Sequence, residues 1–342
     1  MRNWNYQRIF CGLLLCASTA SASDEPKVRL IATGGTIASG RAGSLSATEL
    51  KEHNPELNDI AELSVEDYLK IGSSRMTPEL QFGIAEHVNE LFRDEPDLSG
   101  IVITHGTDSL EETAFLLDLL LESDRPVVFA AAMRPPHRSD TDAPRNLVNA
   151  VRLAAAEGAK GLGVLVTLND EFHAARDVRK THTLATNAFA SPGLGPLGYF
   201  DGESIYLARR PARRLTLLVD SIEPRVALIR LFAGSDGSQV RAAVATGQRG
   251  IVLEVFGRGN VPPDVMDAVG DARAKNIAVV FTSRTGGGRV LLDDGAKRAG
   301  VVSGEDLDGL KARLVLVAAL GTTSDPEKLR SYFRRLSGKL EE

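Results

Sequence analysis

The chain is nearly free of cysteine. Of its 342 residues only Cys11 and Cys16 are cysteines, both within the first 22 positions. The rest therefore has no disulfide framework and must hold its fold by burial. Aromatic residues make up only 5%, and the formal net charge is -5. No basic, aromatic-interleaved stretch points to nucleic acid. No later segment offers about 20 uninterrupted apolar residues, the length a membrane-spanning helix needs. The six histidines are scattered, with no HExxH and no cysteine pair to hold a metal, and neither GxGxxG nor GxxxxGK[ST] occurs. No internal repeat or low-complexity segment is present, and the glycine run Gly286 to Gly288 reads as a surface turn.

The first residues form a separate unit. Arg2 and Arg8 supply positive charge, Ile9 to Ala17 is apolar, and Ala20-Ser-Ala22 fits a small-residue cleavage site. The expectation is a signal peptide over 1–22, a mature chain from Ser23 and export to the periplasm or beyond. The alternatives are an uncleaved anchor, for which the apolar core is short, and a lipoprotein, against which Leu15 stands before Cys16. Removing two arginines and no acid takes the charge from -5 to -7. After cleavage no membrane association is expected.

What remains is long enough for two domains. Strand-length apolar runs alternate with helical patterns: strand 28–32, helix 47–53, strand 68–72, helix 77–92, strand 100–104, helix 109–121, strand 126–131, helix 144–157 and strand 161–167. Such alternation predicts an α/β fold with a parallel sheet. Ser191 to Pro211 reads as irregular or hairpin structure, and Arg213 to Pro224 as a connection. The pattern restarts at Val226 and continues through Leu307 to Leu320. The expected organisation is a larger N-terminal parallel-sheet α/β domain at 23–212, a linker at 213–224 and a smaller C-terminal α/β domain at 225–342.

Two strand ends carry chemistry. Ile31-Ala-Thr-Gly-Gly-Thr-Ile-Ala38 puts a hydroxyl on a glycine hinge after an apolar strand, so Thr36 can be presented at the strand's carboxyl end. By itself this is also a common tight turn. Gly100 to Thr113 repeats the design, with Thr107 and Asp108 between a strand and a helix. Ser109 and Glu112 fit a capping box there, so the cluster could simply cap the helix. In a parallel sheet both strand ends open on one carboxyl edge, where ligands bind in doubly wound folds. Thr36 and Asp108 can then face one pocket. His105, ending a buried strand, reads as a structural hydrogen-bonding group.

At ATGGTIA (32–38) and ITHGTDSLEETA (103–114) the chain resembles the bacterial L-asparaginase family, in particular its exported type II branch. Further matches follow in family order: Ala132 to Pro135, Asp142 to Leu147, Asn169-Asp170, Ala175 to Lys180, Gly195 to Gly198 and Gly257 to Asn260. The resemblance implies hydrolysis of L-asparagine to L-aspartate and ammonia, without metal or organic cofactor. Thr36 would be the nucleophile, and because a free threonine hydroxyl is too weak an acid to ionise at neutral pH it must be activated. Thr107, Asp108 and Lys180 would form the assisting group. Asp108 would receive the substrate's α-ammonium and Ser73 would hold its α-carboxylate. The family's habit of building sites at subunit boundaries implies a homotetramer of close dimers, with Asn260 lent to the partner's site.

The chain also departs from the pattern. Exported members usually carry a tyrosine shortly after the nucleophile, and Ser39 to Ala47 has none; Tyr68 comes too late to replace it. Ser74 and Arg75 stand where a glutamine and an acidic residue are common. No glutamate occurs between Glu254 and Glu305, so a lent glutamate is missing. These losses bear on asparagine against glutamine preference, leaving a glutaminase-asparaginase, or a hydrolase of another small amide, as alternatives. A periplasmic solute-binding protein would share the export signal, the two α/β domains and the lack of cysteine, but has no need of Thr36 with Thr107, Asp108 and Lys180.

Overall fold

The computed structural model describes residues 25–40, 43–211 and 213–338. The expected signal segment and both cysteines lie outside them. The first sheet contains β1 (Lys27–Ala32), β2 (Glu62–Asp67), β3 (Leu98–Thr104), β4 (Val127–Ala130), β5 (Val164–Leu168) and β6 (Glu171–Ala174), followed by a short pair, β7 (Arg179–Lys180) and β8 (Phe189–Ala190), and a hairpin, β9 (Gly198–Asp201) and β10 (Ser204–Leu207). Its order is β10-β9-β6-β5-β4-β3-β1-β2, while β7 and β8 pair separately. The five strands from β2 to β5 are parallel, and β6, β9 and β10 join antiparallel. The central strands are near-continuous apolar runs because both faces are covered.

Four helices pack on this sheet: α1 (Ala47–Glu52), α2 (Pro78–Asp94), α3 (Leu110–Leu120) and α4 (Ala143–Ala155). α2 and α4 are amphipathic, whereas α3 is buried at all but one of its positions. A helix buried on nearly every side needs cover on every side. Its cover includes the second domain, where β11 (Val226–Arg230), β12 (Gly250–Val255), β13 (Ala278–Ser283) and β14 (Val302–Ser303) form a parallel sheet in that order. The helices there are α5 (Ser238–Ala245), α6 (Pro263–Ala274), α7 (Asp294–Arg298), α8 (Gly309–Ala319) and α9 (Pro326–Ser337). α8 lies between its own sheet and α3, so one apolar cluster runs from Phe115 and Leu116 to Leu314 and Leu316 across the domain boundary.

Two expectations are corrected. Residues 68–72 are not a strand; the strand is Glu62–Asp67. As an edge strand it alternates exposed and buried residues, so its polar sequence hides it. Beyond it the chain peels off: the amides of Tyr68 and Leu69 donate to the Ala32 carbonyl and that of Ile71 donates to Thr33. Tyr68 and Leu69 are apolar because they pack on the core, not because they pair. The capping box at Ser109 does not form either. The Ser109 hydroxyl donates instead to the Ser73 carbonyl at 2.6 Å, so a cap residue became a tie between loops. A true capping box occurs at Ser46 and Glu49, opening α1.

Candidate active site

Three loops leave neighbouring strands at the same sheet edge: Thr33 to Ala38 after β1, Tyr68 to Arg75 after β2, and His105 to Ser109 after β3. Their approach depends on glycine. Gly35, at φ 90°, sits so near the third loop that a Cβ would stand 2.3 Å from the Gly106 nitrogen. A Cβ on Gly106 would meet the Ser73 hydroxyl at 2.5 Å, and one on Gly34 the Ile71 carbonyl oxygen at 2.7 Å. No side chain fits in gaps this small, and positive φ adds strain for any residue but glycine. The Thr33 hydroxyl pins the first loop to the third by donating to the Thr104 carbonyl at 2.6 Å.

The loops enclose an open cavity of about 320 Å³ lined by Thr36, Ser73, Thr107 and Asp108, with Ser39, Ser44 and Lys70 at its rim. Thr36 opens a single 3-10 turn, Thr36–Ala38, steadied by the Ser39 hydroxyl donating to the Gly35 carbonyl at 3.0 Å. Ser73 is buried, and its hydroxyl accepts the Asp108 amide at 3.1 Å. Sequence reading passed over Lys70, which pairs with Asp67 at 3.2 Å. Its only signal was closeness to Ser73. Arg75 is exposed and does not line the cavity. Tyr68 stacks on His87 with ring centroids 4.8 Å apart and is no part of the cavity lining.

Lys180 arrives on β7, which pairs with β8 outside the main sheet. Its Nζ donates to Thr107 Oγ1 at 2.9 Å and to Asp108 Oδ1 at 3.0 Å. Its backbone amide donates to Glu111 Oε2 at 2.7 Å, which fixes the strand that carries it to the first turn of α3. Burial raises the Glu111 carboxyl above its usual range, opposed by nearby Lys311 and by this hydrogen bond. His105 is fully buried, its Nδ1 2.7 Å from the Gly106 carbonyl, and burial lowers its pKa to about 4. The imidazole is neutral at pH 7, with its proton on Nδ1 to serve that carbonyl. It supports the loop and does not line the cavity, as its reading as a structural group expects.

Thr36, Ser73, Thr107 and Asp108 thus meet in one cavity, with Lys180 hydrogen-bonded to two of them. Asn260 does not join them. It closes a turn by bridging to Phe256 in the second domain. Among the described residues no group of three His, Cys, Asp or Glu side chains could hold a metal ion. No described helix is long and apolar enough to cross a membrane.

The chain is similar to known proteins over nearly all of its described length. Residues 27–213 match the family model "Asparaginase, N-terminal", and 225–333 match "Glutaminase/Asparaginase C-terminal domain". The chain is 38% identical to the "Probable L-asparaginase periplasmic" of Haemophilus influenzae, over 93% of this chain and 95% of that one. It is 36% identical to "L-asparaginase 2" of Bacillus subtilis, over 93% and 88%. A solved structure of a "Probable Cytoplasmic L-asparaginase from Campylobacter jejuni" superposes with a TM-score of 0.84 at 36% identity, covering 90% of this chain and 99% of that one. With both family models matched in order along nearly the whole described chain, this protein belongs to the asparaginase family.

Proposed function

We propose that this chain hydrolyses L-asparagine to L-aspartate and ammonia through a threonyl ester on Thr36. The observation that carries the reading is the Lys180 amine 2.9 Å from the Thr107 hydroxyl and 3.0 Å from Asp108, beside the cavity that Thr36 lines. A binding pocket has no use for an amine spent on a threonine hydroxyl, whereas an alcohol nucleophile needs a route for its proton. In the proposed sequence Thr36 Oγ1 attacks the side-chain amide carbon. Its proton passes to the Thr107–Lys180 pair and from there to the leaving nitrogen, and ammonia departs. Water then adds to the ester, the aspartate carboxylate leaves, and Thr36 regains its proton. Asp108 would accept the substrate ammonium, and Ser73 would hold the α-carboxylate with help from the Lys70 charge. The proposed domains, 23–212 and 225–342 joined at 213–224, put all of these groups on the first.

Assembly as a homotetramer is part of the reading. Asn260 would serve a neighbouring subunit's site, and Leu291, bonded to the same turn through Arg258, is 59% exposed. Exposed apolar surface beside a polar turn suits a subunit contact. Export through residues 1–22 to the periplasm is proposed as well. It is checked by reading the N-terminus of protein from a cell fraction, where Ser23 is expected first, and assembly by light scattering on dilution with a parallel assay. Activity is tested by ammonia release from L-asparagine, L-glutamine and D-asparagine. The highest kcat/KM is expected for L-asparagine. Comparable values for L-glutamine would make the protein a glutaminase-asparaginase, and no ammonia from any of the three would leave only solute binding.

A further inference from the structure

Lys311 is the most buried cation of the described chain, a lysine inside a helix whose other charged residue is Arg313. It sits on α8 of the second domain, its amide capped by Asp308 at 2.9 Å. Its side chain crosses into the first domain, where Nζ donates to three backbone carbonyls: Ala175 at 2.6 Å, Arg176 at 2.8 Å and Val178 at 2.6 Å. All three ammonium protons are used. The Phe115 ring of α3 lies 5.4 Å away. Burying a lysine is unfavourable, and a leucine or methionine would fill an apolar helix without that cost. What the charge achieves is local: it gathers the carbonyls of the turn that leads, two residues on, to Lys180.

We propose that Lys311 is a positioning residue for the hydrolysis: by gripping the turn from Ala175 to Val178 it sets where the Lys180 amine meets Thr107. The proposal rests on the role given to Lys180 above. Besides the Ala175 amide on the Val164 carbonyl, two side chains tie the backbone ahead of that amine: Lys311 on the carbonyls and Glu111 on the Lys180 amide. Both come from helices that pack on each other, α8 and α3. The second domain thus holds this segment through Lys311 on its backbone and through Asp306 and Gly286 on the Arg176 and Arg179 side chains. The same geometry supplies a pH dependence. Burial draws the Lys311 pKa down to about 8, against the pull of Asp308 on its own helix, Glu111 on α3 and Asp177 on the turn, while Arg176 adds to the lowering. A neutral amine has two protons for three carbonyls, so the grip weakens as pH rises through that value.

The test combines Lys311→Met, Lys180→Met and the double variant, assayed for ammonia release at a temperature where circular dichroism shows each folded. Lys311→Met is expected to lower kcat at least tenfold with KM changed less than threefold. The double variant should be no slower than Lys180→Met alone, because Lys311 acts through Lys180. Asp118→Asn serves as the control for mere destabilisation. Asp118 is buried and pairs with Arg214 and the Val164 amide away from the cavity, so its variant should melt earlier and keep its kcat. Should Lys311→Met not fold, Lys311→Arg replaces it, with the same fall in kcat expected from a planar group that cannot reach the same three carbonyls. An inactive Lys180→Met beside a folded Lys311 variant with wild-type kcat would overturn this inference alone. A fully active Lys180→Met would overturn the proposed mechanism, and with it any positioning role for Lys311.

Discussion

Thr36 and Thr107 are close counterparts, each a threonine in a glycine-containing turn at the carboxyl end of a parallel strand, yet their surroundings differ. The Thr107 hydroxyl is held by Lys180 at 2.9 Å. The Thr36 hydroxyl has no hydrogen-bond partner among the described residues. Thr107 is buried and its loop is tied to Ser73, while Thr36 is half-buried at the head of a single 3-10 turn beside the open side of the cavity. A nucleophile must be free to change bonds, and the group that handles its proton must be fixed. The difference teaches that motif symmetry along the sequence becomes a division of labour once a third element, β7, reaches only one of the two turns.

The comparison breaks most severely if Thr36 is removed. Thr36→Ala is expected to lower kcat by more than about a thousandfold while leaving the melting temperature within a few degrees, since it deletes the proposed attacking atom and no hydrogen bond. Retention of a tenth of the wild-type kcat would assign the attack elsewhere. Lys180→Met tests the other threonine. A fall in kcat of roughly a hundredfold or more is expected with Thr36 intact, in the range general acid-base assistance supplies; stopped-flow ammonia release would show whether ester formation is the slowed step.

Asp108→Ala should act on both constants. Its carboxylate holds Lys180 and faces the cavity, so KM for L-asparagine should rise about tenfold or more as kcat falls. An unchanged KM would remove its anchoring role. Gly35→Ala removes the comparison itself, because the two turns could no longer touch. With a Cβ 2.3 Å from Gly106 and φ at 90°, a loss of about 1–3 kcal/mol in urea melts is expected.

The smallest effect on turnover concerns His105, which acts on stability alone. Its folded pKa of about 4 lies below the ordinary 6.5. The unfolded chain therefore takes up the proton first as pH falls. The associated stability is fully present above pH 6.5 and is lost as pH falls from 6.5 toward 4, by an amount on the order of 3 kcal/mol. Nε2 is buried without a partner, so a second proton there has nothing to receive it. His173, lowered to about 4 by burial, adds in the same direction. Urea melts at pH 7 and pH 5 should show a shallower decline for His105→Gln, with turnover at pH 7 unchanged.

Much of the first domain was legible because its signals are short-range. A buried parallel strand announces itself as an apolar run, and β1, β3, β4 and β5 all do. β2 did not, because an edge strand written ELSVED alternates with polar residues, and the apolar residues just after it made a false strand. Ser109 misled in a similar way. Its spacing to Glu112 fits a cap, and only the arrival of the Ser73 loop, 36 residues away in sequence, gave its hydroxyl a different acceptor.

The sequence by itself determined the alternation of strand and helix, the absence of disulfides from the described chain, and the residue types at the two threonine turns. Each of these is encoded within a window of a few residues, where propensity, periodicity and glycine's freedom operate. Tertiary structure decided which turns meet. The sheet order sets β1 between β2 and β3, so three loops converge, and the packing of the separate β7–β8 pair brings Lys180 to Thr107 across 73 residues of chain. It also decided that a lysine within an apolar helix of the second domain would find three carbonyls in the first. Hydrogen bonds of a few ångströms between distant segments depend on how whole layers pack, and no local pattern in the chain records that packing.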